Sequence, residues 1–194
     1  MLKVRLRLSR RKKVPIFEIL GGNYLPHKAL SLLVRFRWID EIEHNDEYVI
    51  LNVKGNRIKL LNHYAQTMLN EWKIWQIYYV PPFPLLGRTV LDVGAGCGET
   101  ALFFFLYGAR KVIAIEPNVK AVSCLKENAE RNRWNVKIIP EPFKLKHLEI
   151  QHDFMKMDCE SCEQLLLQLP KINKPSIVEV HSNELLNEFK KEDG

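Results

Sequence analysis

The chain has 194 residues, 46% of them hydrophobic and 27% charged, an ordinary globular composition with room for one core and a small appendage. No apolar run approaches the roughly 18 residues of a membrane span, and the amino terminus lacks a secretory signal's apolar centre, so a cytoplasmic protein is expected. The formal net charge of +6 is lopsided: residues 1–40 hold 10 Lys/Arg against 2 Asp/Glu, or +8, and residues 41–194 hold 19 against 21, or −2.

In chain order, Leu2, Val4, Leu6 and Leu8 alternate with Lys3, Arg5, Arg7 and Ser9, a strand-like period. The run Arg10-Arg11-Lys12-Lys13 follows, then a turn at Gly21-Gly22-Asn23. Residues 28–39 interleave Arg35 and Arg37 with Phe36 and Trp38. Such a pattern can stack on exposed bases, and more often packs with its basic groups snorkelling outward. Residues 47–53 and 57–61 read as two strands of a hairpin turned at Lys54-Gly55-Asn56. Residues 63–77 have helical spacing, with Tyr64, Met68, Trp72 and Trp75 as core. Pro81-Pro82-Phe83-Pro84 is a stiff break, dividing a basic extension, 1–84, from a second domain, 85–194.

Beyond the break, strand and helix signals alternate: strands at 89–93, 111–115, 136–139, 154–158 and 176–180, and helices at 99–107, 119–131, 161–169 and 183–191. Residues 140–152 form a looser stretch. This alternation predicts an α/β fold, a mostly parallel Rossmann-like sheet with right-handed crossovers. The near-continuous apolar strands imply burial on both faces. Of four cysteines only Cys159 and Cys162 form a C-x-x-C. With no second pair to complete a zinc site, and Asp158, Glu160 and Glu163 beside them, they are expected as free thiols.

The chemistry concentrates at Asp92-Val93-Gly94-Ala95-Gly96-Cys97-Gly98-Glu99-Thr100, a strand end, a glycine loop and a helix start. Glycine lets a ligand touch bare backbone, and the helix start offers unpaired N–H groups. The dinucleotide fingerprint has its third glycine where this chain has Glu99, and a carboxylate suits no pyrophosphate. Glu116 ends the next strand, 24 residues after Asp92, close to the spacing of an acid that grips a ribose. Asn118 suits the cap of the helix that follows.

The G-x-G-x-G loop with its preceding acid resembles motif I of the class I S-adenosylmethionine (SAM) methyltransferases. Asp153-Phe154-Met155-Lys156-Met157-Asp158-Cys159-Glu160-Ser161-Cys162-Glu163 resembles the D-F-I-K-I-D-V-E-G-x-E signature of the FkbM-type methyltransferases, with Ser161 in place of the glycine. Glu179-Val180-His181 is similar to that family's Glu-x-His. The resemblance covers residues 47–185. It implies SAM as methyl donor, held by Asp92, Gly94, Ala95, Gly96 and Gly98, with Glu116 on the ribose. Pro117, Asn118, Glu141 and Phe143 would lie near the adenine. It places Asp158, Glu160 and His181 beside the methyl acceptor as candidate bases. The family's sheet has two further strands after the helix at 183–191, and an edge left without them would suit a partner or a homodimer.

The function expected is O-methylation of a small molecule or glycan. The alternatives are an RNA methyltransferase, tRNA included, binding RNA through residues 1–40, and a scaffold that holds SAM without catalysis. No metal is expected.

Overall fold

The computed structural model describes residues 2–5, 39–44 and 46–192. The remainder of the predicted first strand, the basic run at 10–13, the turn at 21–23 and residues 28–38 lie outside the described residues.

Four antiparallel strands form a first sheet in sequence order: β1 (Leu2–Arg5), β2 (Ile39–His44), β3 (Tyr48–Val53) and β4 (Asn56–Leu61). The β3–β4 hairpin closes on Lys54 and Gly55, both at positive φ (49° and 80°). Two consecutive positive values match the strand twist, which is why a glycine stands in this two-residue loop. Strand β2 was not apparent in the sequence, because Ile39-Asp40-Glu41-Ile42-Glu43-His44 carries four polar residues. Helix α1 (Asn62–Tyr78) follows β4 directly.

The second sheet is parallel, in the order β7-β6-β5-β8-β9. Its strands are β5 (Thr89–Val93), β6 (Lys111–Ile115), β7 (Val136–Ile139), β8 (Phe154–Met157) and β9 (Ser176–Val178). Helices α2 (Glu99–Leu106) and α3 (Val119–Asn132) connect β5 to β6 and β6 to β7, and α4 (Asn183–Glu192) follows β9. The direction of chain progression reverses at β5, between β6 and β8, and ligands of open α/β sheets bind beyond the carboxyl ends at such a point. The predicted helix at 161–169 is instead a 3₁₀ segment, Cys162–Gln168, and the 140–152 stretch contains another, Leu145–Glu149. Among the described residues no strand pairs with the outer edge of β9.

Both faces of the parallel sheet are buried. Val90, Val112 and Ala114 face a core shared with α1, α2 and the first sheet, where Leu51, Leu60, Met68, Trp75 and Phe103 pack. Leu91, Val93, Ile113, Ile115, Met155 and Met157 face a second cluster with Phe143 and Leu166. One apolar cluster therefore includes residues from both sides of the proline break.

Two asparagines of α3 fasten the sheets together. Asn132 accepts from Arg57 N (2.9 Å) and donates to Arg57 O (2.9 Å). Asn128 accepts from Lys59 N (2.7 Å), and its amide donates to Lys59 O (2.8 Å) and to Cys97 O (2.9 Å). The side-chain amides thus serve β4 as a further strand would, satisfying an edge that cannot be left unpaired when buried. Through Cys97 O the same contact ties the first sheet to the glycine loop. No described helix is long and apolar enough to cross a membrane.

Candidate functional site

A cavity of about 480 Å³ lies beyond the carboxyl ends of β5, β6 and β8. Gly94, Glu116, Pro117, Asn118 and Phe143 are in its wall, as are Glu99, Thr100 and Lys156. His63, Tyr64, Thr67 and Trp75 of α1 line it from the amino-terminal side, so the appended helix is part of the site. Trp75 is core, as the spacing suggested, and also reaches the cavity; the side chain of Trp72 lies outside the described residues.

The loop needs its glycines for close approach. Gly94 has φ 76°, and a side-chain carbon there would overlap the Asp158 carbonyl oxygen where the two strand ends cross. At Gly96 it would meet the Glu99 carboxylate and the Tyr64 ring. Gly94 N and Ala95 N donate to Ile115 O (3.0 and 3.2 Å), which anchors the loop to β6. The wall does not include Asp92, Ala95, Gly96 or Gly98, expected as donor-binding residues; they stand behind it. Asp92 is fully buried, accepting from Thr100 Oγ1 (2.6 Å), so it shapes the loop.

Glu116 sits where the spacing put it. Its Oε2 accepts from Gly96 N (2.9 Å) and its Oε1 from Asn118 N (2.8 Å). Each carboxylate oxygen keeps a further lone pair, so the group is fixed across the cavity and still able to accept from a diol. Asn118 caps α3, accepting from Lys120 N (3.0 Å) and Ala121 N (3.2 Å). Glu141 pairs with Lys144 and His147, which hold its pKa down to about 2, and is not in the wall.

Lys156 was not singled out from the sequence. It is 1% exposed, donates to Gly94 O (3.1 Å), and stands 3.5 Å from Asp92 Oδ1 and 3.7 Å from Asp158 Oδ2. Burial opposes its charge, but Asp92, Asp158 and Glu99 outweigh burial and raise its pKa. The signal was a lysine in a strand otherwise apolar on both faces. Buried charge of that kind occurs only when paired.

Carboxylates crowd the outer lip. The Tyr79 hydroxyl lies 3.1 Å from Asp158 Oδ2 and 3.0 Å from Glu179 Oε2, two acceptors for one phenol hydrogen. Burial, then these two acids, push its pKa up. Glu71 accepts from Trp75 Nε1 (3.1 Å); burial raises its pKa, against that bond, with Glu179 and Asp158 adding to the rise. Glu160 is in the cavity wall, at φ 52°. His181 is held on both sides, with Nδ1 3.0 Å from Glu163 Oε1 and Nε2 3.3 Å from Asp158 Oδ1. Burial opposes its charge, but Glu163, Asp158 and Glu160 prevail and raise its pKa. An imidazole so engaged is a poor free base near neutrality. Asp158, Glu179 and His181 bring ligand-type atoms within 4.8 Å of one another, but Tyr79 and Glu163 already engage them.

Cys159 and Cys162, expected as free thiols, form a disulfide. Glu160 and Ser161 between them adopt left-handed backbone (φ 52° and 88°), and that tight turn brings the two sulfurs together. The acid neighbours considered in the sequence bear on thiolate reactivity, not on this geometry. The Ser161 value also explains the glycine of the resembled signature at this position.

The family model for "Ribosomal protein L11 methyltransferase (PrmA)" matches residues 82–157. The ribosomal protein L11 methyltransferase of Aquifex aeolicus is 36% identical over 96 residues, 47% of this chain and 38% of that protein. An uncharacterized protein 158B of Sulfolobus islandicus rod-shaped virus 1 is 26% identical over 116 residues, 54% of this chain and 66% of that protein. The chain thus spans between about a third and two thirds of the length of these relatives. Among solved structures, M. jannaschii TYW2 in complex with AdoMet aligns with a TM-score of 0.54 at 18% identity, covering 77% of this chain and 73% of that one. The SAM dependent methyltransferase from Agrobacterium tumefaciens aligns with a TM-score of 0.51 at 16% identity, covering 75% and 59%. The chain thus shares the fold of these solved structures, and over residues 82–157 its sequence is similar to the L11 methyltransferases. The matching model is that of the L11 methyltransferases rather than the FkbM family expected above.

Proposed function

We propose that this chain, a methyltransferase of class I type, moves a methyl group from SAM to an amine on a basic protein segment. The donor would lie in the cavity between Gly94 and Glu116. The fit rests on three features: a loop where side-chain carbons at Gly94 or Gly96 would clash, a fixed carboxylate with free lone pairs at Glu116, and an apolar wall at Phe143 and Pro117. When bound, SAM supplies a methyl group already activated on a sulfonium.

The observation that carries the acceptor class is the sign of charge at the lip. Asp158, Glu160, Glu179 and Glu71 gather there, while of the basic groups beside Asp158, Lys156 is sealed at 1% exposure and His181 is held between Glu163 and Asp158. Such a rim draws in a protonated amine and opposes a phosphate backbone. Asp158 and Glu160 orient the ammonium and one of them takes a proton from it first, freeing the nitrogen lone pair; the N–C bond then forms as the S–C bond breaks, and S-adenosylhomocysteine leaves. Tyr79 and Lys156 hold Asp158 in place, and the positioning they provide is the main lever on such a displacement. The relatives named as L11 methyltransferases support a protein acceptor. O-methylation of a small molecule or glycan would need a free base, and His181 is held at both nitrogens. RNA bound through residues 1–40 is the second reading, supported by their +8 charge.

The test is methyl transfer from tritiated SAM to three acceptors: a lysine-rich polypeptide, total tRNA and a neutral polysaccharide. Label in the polypeptide, lost when its amines are acetylated first, is the expected result. Label in tRNA or polysaccharide alone refutes the amine reading.

A further inference from the structure

Two buried carboxylate oxygens of the glycine-loop region lack a hydrogen-bond partner, Asp92 Oδ1, which has Lys156 Nζ 3.5 Å away behind the loop, and Glu99 Oε2, whose residue stands in the cavity wall. Asp92 has Thr100, and Glu116 has Gly96 N and Asn118 N. Glu99, the first residue of α2, is 5% exposed and stands in the cavity wall, yet its Oε2 has no hydrogen-bond partner. A buried acceptor left unmet is costly, and such groups persist where a ligand meets them.

We infer that Glu99 is the subsite for the α-ammonium group at the aminoacyl end of the donor. This rests on the donor-site reading above. The ribose hydroxyls are matched by Glu116 at the β6 end. A full positive charge with several N–H donors is what a buried carboxylate can best hold. An acid at this position also accounts for the departure from the dinucleotide pattern, because the group it receives is cationic.

The surroundings couple that contact to a proton. Asp92 from β5, Lys156 from β8, Cys97 from the loop and Tyr64 from α1 are the titratable groups that interact with Glu99, with Glu116 beyond β6 acting on the same Tyr64. Burial, the largest influence, pushes its pKa up to about 8, against backbone N–H groups of the loop and Lys156, with Asp92 adding to the rise. With its pKa at about 8, the Glu99 carboxyl is mostly neutral at pH 7 until a cation meets it. Arrival of an ammonium favours the ionised form and releases that proton to solvent.

Two probes separate this subsite from the rest of the cavity: S-adenosylhomocysteine, which has the ammonium, and 5′-methylthioadenosine, which lacks the aminoacyl end. Calorimetry at pH 7 in two buffers of different ionisation enthalpy counts protons released. Wild-type protein is expected to release close to one proton on binding S-adenosylhomocysteine and none on binding methylthioadenosine. In Glu99→Gln the release disappears, S-adenosylhomocysteine weakens by about tenfold or more, and methylthioadenosine stays within about twofold. Unchanged S-adenosylhomocysteine affinity in the variant, or equal weakening of both probes, overturns the inference while leaving the donor site standing. If neither probe binds wild-type protein, the donor site fails and the inference with it. Should the variant not fold, the wild-type proton count decides alone, and no release contradicts the inference.

Discussion

Replacing Glu99 by Gln should stabilise the ligand-free protein. The ordinary glutamate value is 4.5 and burial pushes this carboxyl up to about 8. A group whose folded pKa is raised carries no penalty below the unfolded value and an increasing one as pH rises toward the folded value. Between pH 4.5 and 7 the unfolded chain gives up this proton and the folded chain keeps it. Each pH unit in that window costs about 1.4 kcal/mol, so the penalty at pH 7 is about 3 kcal/mol. Glu99→Gln removes the titration and leaves a neutral side chain of nearly the same shape. Urea denaturation at pH 7 should show the gain directly, and the melting temperature should rise on the order of 6–12 °C. At pH 4 the two proteins should be equally stable. A variant no more stable than wild type at pH 7, or a gain that does not vary between pH 4 and 8, would refute the reasoning.

Lys156→Met leaves Asp92 buried without its cation and should lose about 3–5 kcal/mol in urea denaturation; a neutral outcome would mean the pair contributes no net stability. Gly94→Ala forces a side chain at φ 76° into the Asp158 carbonyl, and should cost about 2 kcal/mol or more and abolish donor binding by calorimetry. Ser161→Gly relieves a left-handed serine at φ 88°; after glycine's greater unfolded-state freedom is subtracted, a gain of about 0.5–1 kcal/mol is expected by thermal denaturation.

How much of this was legible in the sequence follows from where side chains point. Strands 89–93 and 111–115 were read to the residue because burial on both faces leaves near-continuous apolar runs closed by Gly94 and Glu116, and the edge strand 136–139, with Lys137 exposed, was bounded by Pro140. Asn118 as a cap and Glu116 as the acid beside the glycine loop were equally visible, since spacing along one βαβ unit is local. What escaped was long-range. Tyr64 comes from α1 and Tyr79 from the cap that ends it, and nothing local says that this helix covers the carboxyl ends of β5 and β8. Asp92, expected among the donor-binding residues, accepts from Thr100 and stands 3.5 Å from Lys156 behind the loop, contacts that local spacing does not reveal. The 162–168 segment was expected as α-helix, but the disulfide and the left-handed Ser161 wind its start into a tighter turn.

The central claim is that the cavity between Gly94 and Glu116 receives a SAM-type donor. Diffraction from crystals grown with S-adenosylhomocysteine tests it most directly. The expected result is ligand density in that cavity, with both ribose hydroxyls within hydrogen-bond distance of the Glu116 carboxylate. Density that places the ligand away from Gly94 and Glu116, or a cavity still bare at saturating ligand, would contradict it.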